Sequence, residues 1–121
     1  MDEGLESDSE TTISQLRDEV RKFAEERSWG RYHTPKNLGM SIAIEAAEIM
    51  ERFQWCSSEK SLELAKESET QSLVADELAD VLIYCLILAY QAEIDISDAV
   101  RSKLDRNKGR YPIGFMPAAD E

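Results

Sequence analysis

The stretch that decides the fold is residues 75–90, ADELADVLIYCLILAY, an apolar run that contains three carboxylates, Asp76, Glu77 and Asp80. At about 100° per residue, the acids share their side of a helix with apolar residues of the following turns. A helix that is apolar on all sides is normally buried in its assembly. An unpaired buried carboxylate costs on the order of several kcal/mol, so such acids need a counter-charge, a shared proton or a metal. No Lys or Arg lies in this run.

The rest of the chain is typical of a small all-α domain. Apolar residues recur at intervals of three or four at about residues 12–27 and 37–55, and two further helices are expected at about 70–92, around the apolar run, and at 97–108, before Gly109 and Pro112. Thr12 begins the first with a capping box, and Ser97 is expected to cap the last. The charged residues 57–69 predict one short helix. We therefore expect a four-helix bundle over residues 12–112, between a disordered acidic tail at 1–11 and an irregular segment at 113–121.

Composition excludes several classes of function. A chain of 121 residues with 42% hydrophobic content suits one domain, and a net charge of -11 argues against binding to DNA, RNA or an anionic membrane. The two cysteines, Cys56 and Cys85, form no CxxC pair, so neither a disulfide framework nor a zinc site is expected. The longest apolar run, 81–90, is shorter than the roughly 20 residues that span a bilayer, and no signal-peptide pattern opens the chain. We expect a cytoplasmic protein.

A second pair of acids lies in the segment before the apolar run. Glu45 and Glu48 are three residues apart, which puts them on one side of a helix, about 60° apart. A metal ion can bridge such a pair. Glu51 and Arg52 project from the same side, which is also the pattern of an ordinary solvated face.

The two pairs, Glu45 with Glu48 and Glu77 with Asp80, lie on helices that can run antiparallel and present four carboxylates to one cavity. Four hard oxygen donors suit Mg²⁺ or Mn²⁺ better than zinc or copper. A di-iron bundle would need histidines on its helices, whereas the single histidine, His33, lies in a loop. Because Mg²⁺ takes further ligands from substrate phosphates, the pattern indicates a metal-bound polyphosphate substrate.

These residues resemble the MazG-type all-α nucleoside triphosphate pyrophosphohydrolases, and among them the dCTP pyrophosphatase branch. The family's ExxE and ExxD motifs match the four acids. Further similar segments are FAEERSW from Phe23, YHTPKNL from Tyr32, ERFQW from Glu51, DELADVLIY from Asp76 and SKLDRNKGRYP from Ser102.

The resemblance implies hydrolysis between the α- and β-phosphates, with Mg²⁺, or Mn²⁺ in its place, held by Glu45, Glu48, Glu77 and Asp80 and its water held or oriented by Glu51. It also implies a homodimer or a homotetramer built as a dimer of dimers. The residues it places at the base and sugar pocket or its rim are Trp29, Trp55, Tyr84, His33 and Asn37. Those it places at the phosphates are Lys103, Asn107 and Arg110.

Structural roles compete with these assignments. Trp55 and Tyr84 are also typical core residues, His33 is also a typical loop-structuring donor, and the basic last turn also complements a helix dipole. Val20 departs from the family pattern, since the animal members carry histidine there, and this predicts leakage from dCTP to other bases.

Two other functions stay open at this stage. The chain is also compatible with a related pyrophosphatase for dUTP or a phosphoribosyl nucleotide, and with a catalytically silent helical assembly module. In each case the long apolar helix has too few partners within one chain, so we expect a homo-oligomer.

Overall fold

The computed structural model describes residues 6–114, which form five α-helices and one 3₁₀ turn and contain no β-strand. The helices are α1 (Ile13–Glu26), α2 (Pro35–Phe53), α3 (Ser58–Leu64), α4 (Ser68–Gln91) and α5 (Ile96–Arg110), and the 3₁₀ turn Trp29–Arg31 lies between α1 and α2. The all-α prediction is confirmed, and α3 is the short helix expected in the charged segment.

Local capping explains where the first two helices begin. The predicted capping box of α1 is present: the backbone N–H of Gln15 donates to Thr12 Oγ1 at 3.0 Å, and that of Thr12 donates to Gln15 Oε1 at 2.7 Å. Helix α2 starts two residues earlier than its apolar pattern suggests, because Thr34 Oγ1 accepts from the N–H of Asn37 at 3.2 Å. Pro35 fits the first helical position, where its missing N–H costs nothing.

The predicted cap of the last helix is wrong. Asp95 caps α5, since its Oδ2 accepts from the N–H of Asp98 at 2.9 Å, while Ser97 lies within the first turn. The backbone of Asp95 is extended, as an N-cap requires, and a carboxylate there also complements the positive end of the helix dipole.

Helix α4 is the centre of the domain, because α2 and α1 both pack mainly against it, whereas α5 packs only lightly on the rest. Side chains from α1, α2 and α4 form the small core, whose buried apolar residues are Ala24, Leu38, Leu86, Ile87 and Ala89. Arg52, near the end of α2, pairs with Glu77 in the first half of α4, and Glu45 lies close to Asp80. The two helices therefore run antiparallel, as the acid motifs require.

Within the single chain, only one of the three acids of the apolar run in α4 is buried. Glu77 is 7% exposed, and it is the only buried charged residue in the described part of the chain. Asp76 and Asp80 are exposed. The reason is that a single chain leaves one side of α4 uncovered, so that Leu78 is 50% and Leu82 is 53% exposed.

The predicted tails fall partly outside the described residues, which leave out 1–5 and 115–121. Residues 6–11 form a turn in which the N–H groups of Glu10 and Thr11 both donate to the carbonyl oxygen of Ser7 at 3.0 Å. Between residues 6 and 114, no helix combines the length and the hydropathy needed to cross a membrane.

Candidate active site

A cavity of about 500 Å³ opens between α1, the 3₁₀ turn and α4. Its walls are mainly apolar and aromatic, and they include two carboxylates, Glu19 and Asp80. Three residues predicted for the base pocket, Trp29, His33 and Tyr84, line this cavity together. The structure thus brings the aromatic candidates of the loop and of α4 to one place, next to one of the predicted metal ligands.

Aromatic rings form a continuous series along the cavity wall. Phe23 and Trp29 meet at 5.5 Å between ring centroids, Trp29 and His33 at 5.8 Å, and His33 and Tyr84 at 6.1 Å. All three contacts are edge-to-face, with interplanar angles of 71° to 83°, which is a favoured arrangement for aromatic pairs. The backbone of Ser28 is left-handed, with a φ of 55°, and it turns the chain after α1. This turn places Trp29 beside Phe23 of α1.

His33 adds a polar group to this apolar wall. Its Nδ1 atom is buried and has no hydrogen-bond partner among the described residues. A buried polar atom without a partner is costly, and at the wall of a cavity it is a natural contact for a polar ligand atom. This favours the predicted binding role of His33 over the structural role of a satisfied loop donor.

The other three acids of the two motifs lie within electrostatic range of Glu45. Partial burial raises the pKa of Glu45, and the charges of Glu48, Asp80 and Glu77 raise it further. Such mutual repulsion between carboxylates of two helices is characteristic of a site that gathers negative charge to bind a cation.

Glu77 obtains its counter-charge from α2. Nη2 of Arg52 donates to Oε2 of Glu77 at 2.6 Å, and Nε of Arg52 donates to Oε1 at 3.4 Å. This hydrogen bond is the main cause of the raised pKa of Arg52. The sequence analysis placed Arg52 on the same side of α2 as Glu45, which it follows by seven residues or about two helical turns, but did not pair it with Glu77.

The four acids of the two motifs are the candidate metal ligands. Their donor chemistry fits Mg²⁺ or Mn²⁺, because carboxylate oxygens are the ligands that these ions prefer. Their positions on facing helices fit as well. With the side chains as they stand in residues 6–114, however, no group of three or more His, Cys, Asp or Glu residues is arranged to hold a metal ion. Glu77 is the acid whose oxygens are already engaged.

The other predicted site residues lie outside the cavity of their own chain. Asn37 ties the loop to α2, since its Nδ2 donates to the carbonyl oxygen of Tyr32 at 3.1 Å. Trp55, just beyond α2, is 90% exposed, so it is not a core residue of its own chain. Glu51 is exposed on α2. The three candidates for phosphate contact lie on α5, where none lines the cavity: Lys103, Asn107 and Arg110.

Sequence reasoning also missed part of the cavity wall. Val20 and Phe23, which lie in the apolar repeat of residues 12–27, line it, and so does Glu19, which the sequence did not single out. The departure at Val20 from the family pattern was the one signal that pointed to this helix, and Val20 does line the cavity.

Comparison with known proteins identifies the chain's relatives. Residues 40–115 match the model of the MazG-like family. The chain is 38% identical over 104 residues to dCTP pyrophosphatase 1 of Rattus norvegicus and 36% identical over 103 residues to that of Homo sapiens. These alignments cover 86% and 85% of this chain but 61% of each relative's length. A crystal structure of a pyrophosphatase from Archaeoglobus fulgidus is similar with a TM-score of 0.77 and 44% identity, over 83% of this chain and 92% of that one.

Proposed function

Because the chain belongs to the MazG-like family, we propose that it is a nucleoside triphosphate pyrophosphohydrolase. Its proposed substrates are deoxyribonucleoside triphosphates, with dCTP or a modified dCTP first, and its products are the monophosphate and pyrophosphate. The proposed role is to clear surplus or non-canonical nucleotides from the pool. The names of the dCTP pyrophosphatase relatives and of the Archaeoglobus pyrophosphatase support this activity.

The observation that carries the proposal is the position of Asp80. Asp80 lines the aromatic cavity, and its charge also acts on Glu45 within the acid cluster. A pocket with flat aromatic walls therefore adjoins a group of hard oxygen donors. A nucleotide has the same two parts in the same order, a planar base and a metal-binding polyphosphate.

Each residue type has a part in this proposal. Trp29 and Tyr84 offer ring faces and edges to the base and sugar, and Nδ1 of His33 offers a hydrogen-bonding atom. Glu45, Glu48, Glu77 and Asp80 would hold Mg²⁺ or Mn²⁺. When bound there, such an ion neutralises the triphosphate and lowers the pKa of a water for in-line attack at phosphorus. Glu51, one turn beyond Glu48, is proposed to orient that water.

Pyrophosphate release from a panel of nucleotides tests the proposal. With saturating Mg²⁺ we expect release from dCTP and its 5-modified forms above all, and none after EDTA is added in excess. Faster release from dUTP, or from a phosphoribosyl nucleotide, would favour the related pyrophosphatases. No release from any nucleotide under these conditions would leave the silent assembly module as the better reading.

We further propose that the protein is a homodimer or a dimer of dimers. Large apolar side chains on the uncovered sides of α4 and α5 support this, among them Leu78, Leu82, Val100 and Leu104, each at least 50% exposed. Exposed apolar side chains spaced by four residues form a stripe along each helix, and clustered exposed apolar groups of this kind are typical of an interface. Light scattering at micromolar concentration should give two or four times the chain mass of 13.8 kDa.

A charge placed in this surface should break the assembly. We expect Leu82→Glu to shift the mass to that of a monomer, because an unpaired carboxylate is costly to bury in an interface. Leu62→Glu on α3 is the matched control, since Leu62 is 70% exposed but lies on a helix apart from this surface, and it should keep the wild-type mass. A wild-type monomer would overturn the proposal.

The predicted substrate roles of Trp55 and of the α5 residues then require a second copy of the chain. Trp55 lies outside the cavity of its own chain, so it can reach a nucleotide only in a neighbouring subunit's site. We expect Trp55→Ala to raise KM, and mixing it with the inactive Asp80→Asn variant to restore a site of wild-type KM. The restored site would combine acids from one chain with Trp55 from the other. A mixture that shows no wild-type KM would place Trp55 outside every site.

A further inference from the structure

The ion pair between Arg52 and Glu77 occupies the centre of the acid cluster. Glu77 is the only buried charged residue within 6–114, and Arg52 engages both of its oxygens, at 2.6 Å and 3.4 Å. A fork of this kind uses one acceptor site on each carboxylate oxygen, so another cation that binds these oxygens has to compete with the guanidinium. It also joins the two helices that carry the acid motifs.

Arg52 faces more than one of the acids. Its guanidinium also interacts electrostatically with Glu48 and Glu51, both of which precede it on α2. A single positive group thus lies among carboxylates of both helices. This is where a divalent cation would have to lie to bind the same acids.

The two partners differ in their access to solvent. The side chain of Glu77 is 9% exposed, whereas that of Arg52 is 35% exposed. The carboxylate is therefore fixed within the helix packing, while the long and flexible arginine approaches it from the solvent side. Of the two partners, Arg52 is therefore the one that can swing into solvent.

We propose that Arg52 is a built-in counter-cation, which holds the acid cluster together in the metal-free protein and must be displaced from Glu77 when a divalent cation binds. The proposal rests on the metal-dependent activity proposed above, and it adds that Arg52 sets the metal affinity of the site. The reason is competition. A divalent cation on Glu77 would share its oxygens with the guanidinium, and two cations at that separation repel each other strongly where water is partly excluded.

Metal affinity measured without substrate tests this inference. Free Mn²⁺, followed by its electron paramagnetic resonance signal, is titrated with wild type, Arg52→Gln and Lys36→Gln. We expect Arg52→Gln to bind Mn²⁺ about tenfold more tightly, within the usual range of coupling between two sites. Lys36→Gln removes the same charge from the other end of α2 and should match wild type. Arg52→Lys keeps the charge but not the fork, and should lie between the two.

A second measurement follows Arg52 directly. In the wild-type protein, the Nε–H resonance of Arg52 should move towards the position of a solvent-exposed arginine as the diamagnetic Mg²⁺ is added. The same titration in Lys36→Gln serves as its control. This arm and the Arg52→Lys variant remain decisive even where Arg52→Gln fails to fold, because both retain a cation beside Glu77.

Equal or weaker Mn²⁺ binding by Arg52→Gln, or an Nε–H resonance that saturating Mg²⁺ leaves in place, would overturn the inference. The proposed function is tested separately. If the wild-type protein neither binds Mn²⁺ nor hydrolyses any nucleotide, the proposed function and the role of Arg52 are both wrong. If the wild-type protein binds Mn²⁺ and hydrolyses a nucleotide, but Arg52→Gln has unchanged Mn²⁺ affinity, only the role of Arg52 is wrong.

Discussion

Asp80→Asn is expected to reduce pyrophosphate release from dCTP by about 10³-fold or more, because loss of a ligand removes the several kcal/mol of transition-state stabilisation that a bound metal supplies. The variant should nevertheless fold, since Asp80 is exposed, and in EDTA it should melt above wild type. Removing its charge relieves the repulsion that Glu45 experiences. Single-turnover assays with saturating Mg²⁺ and thermal melting in EDTA measure the two effects.

Asp76→Asn is the matched control for this prediction. Asp76 is exposed on the same helix, only one residue before Glu77, but lies outside both motifs and the cavity. It should keep wild-type turnover. Wild-type activity in Asp80→Asn would show that the metal site is assigned to the wrong acids.

Glu77→Gln should separate the two acids of the motif. It should lose turnover like Asp80→Asn, but melt below wild type in EDTA because it breaks the charge-assisted hydrogen bonds that join α2 to α4. If mutual repulsion alone decided stability, both acids would behave alike, with a more heat-stable metal-free protein after either change. Because of the ion pair, we expect the melting temperature to fall in Glu77→Gln and to rise in Asp80→Asn. A raised melting temperature in Glu77→Gln would show that the pair adds nothing to stability.

The helices were predictable because their signals are local. Apolar periodicity located α1 and α2, the apolar run located α4, and the Thr12 capping box fixed the start of α1. Errors arose where two capping residues compete within a few positions, as with Asp95 and Ser97 at α5. Both are good N-caps, and the choice depends on which backbone is extended, which the sequence does not state.

The candidate site was predictable in its residue types but not in its pairings. The spacing of Glu45, Glu48, Glu77 and Asp80 indicates which side of each helix carries the acids. It does not indicate which residues of two helices face each other, and this is why the partner of Glu77 was missed. Arg52 lies 25 residues away along the chain, on a helix with its own plausible solvated face.

Burial was the least predictable property. The pattern of α4 shows that it is apolar on all sides, but the structure shows that one chain covers only part of it. Whether Asp76 and Asp80 are shielded depends on neighbours that the same chain does not provide. The apolar pattern of α4 therefore indicates its burial in the assembled protein, whereas the exposed fractions of its side chains are those of one subunit.

Trp29→Ala is expected to raise the KM for dCTP about 5- to 150-fold, since stacking on an aromatic ring is worth roughly 1–3 kcal/mol per base. The turnover number should change less, because the base is held equally in the ground and transition states. Trp29 lines the cavity and is fixed between Phe23 and His33, so the ring is already in place before the ligand binds. Steady-state kinetics with Trp29→Phe as the matched control, which keeps a ring at the wall, should show a much smaller rise.

The same wall predicts a graded preference among bases. Stacking tolerates any base, whereas rejection of wrong bases requires buried polar groups that they leave unpaired. The polar groups of the cavity wall are few, chiefly Glu19, His33 and Asp80, and Val20 is apolar. We therefore expect pyrimidine deoxynucleotides to be the best substrates, with measurable hydrolysis of the others. A purine triphosphate with a higher kcat/KM than every pyrimidine would overturn this preference, and an unchanged KM in Trp29→Ala would take the aromatic wall out of the base pocket.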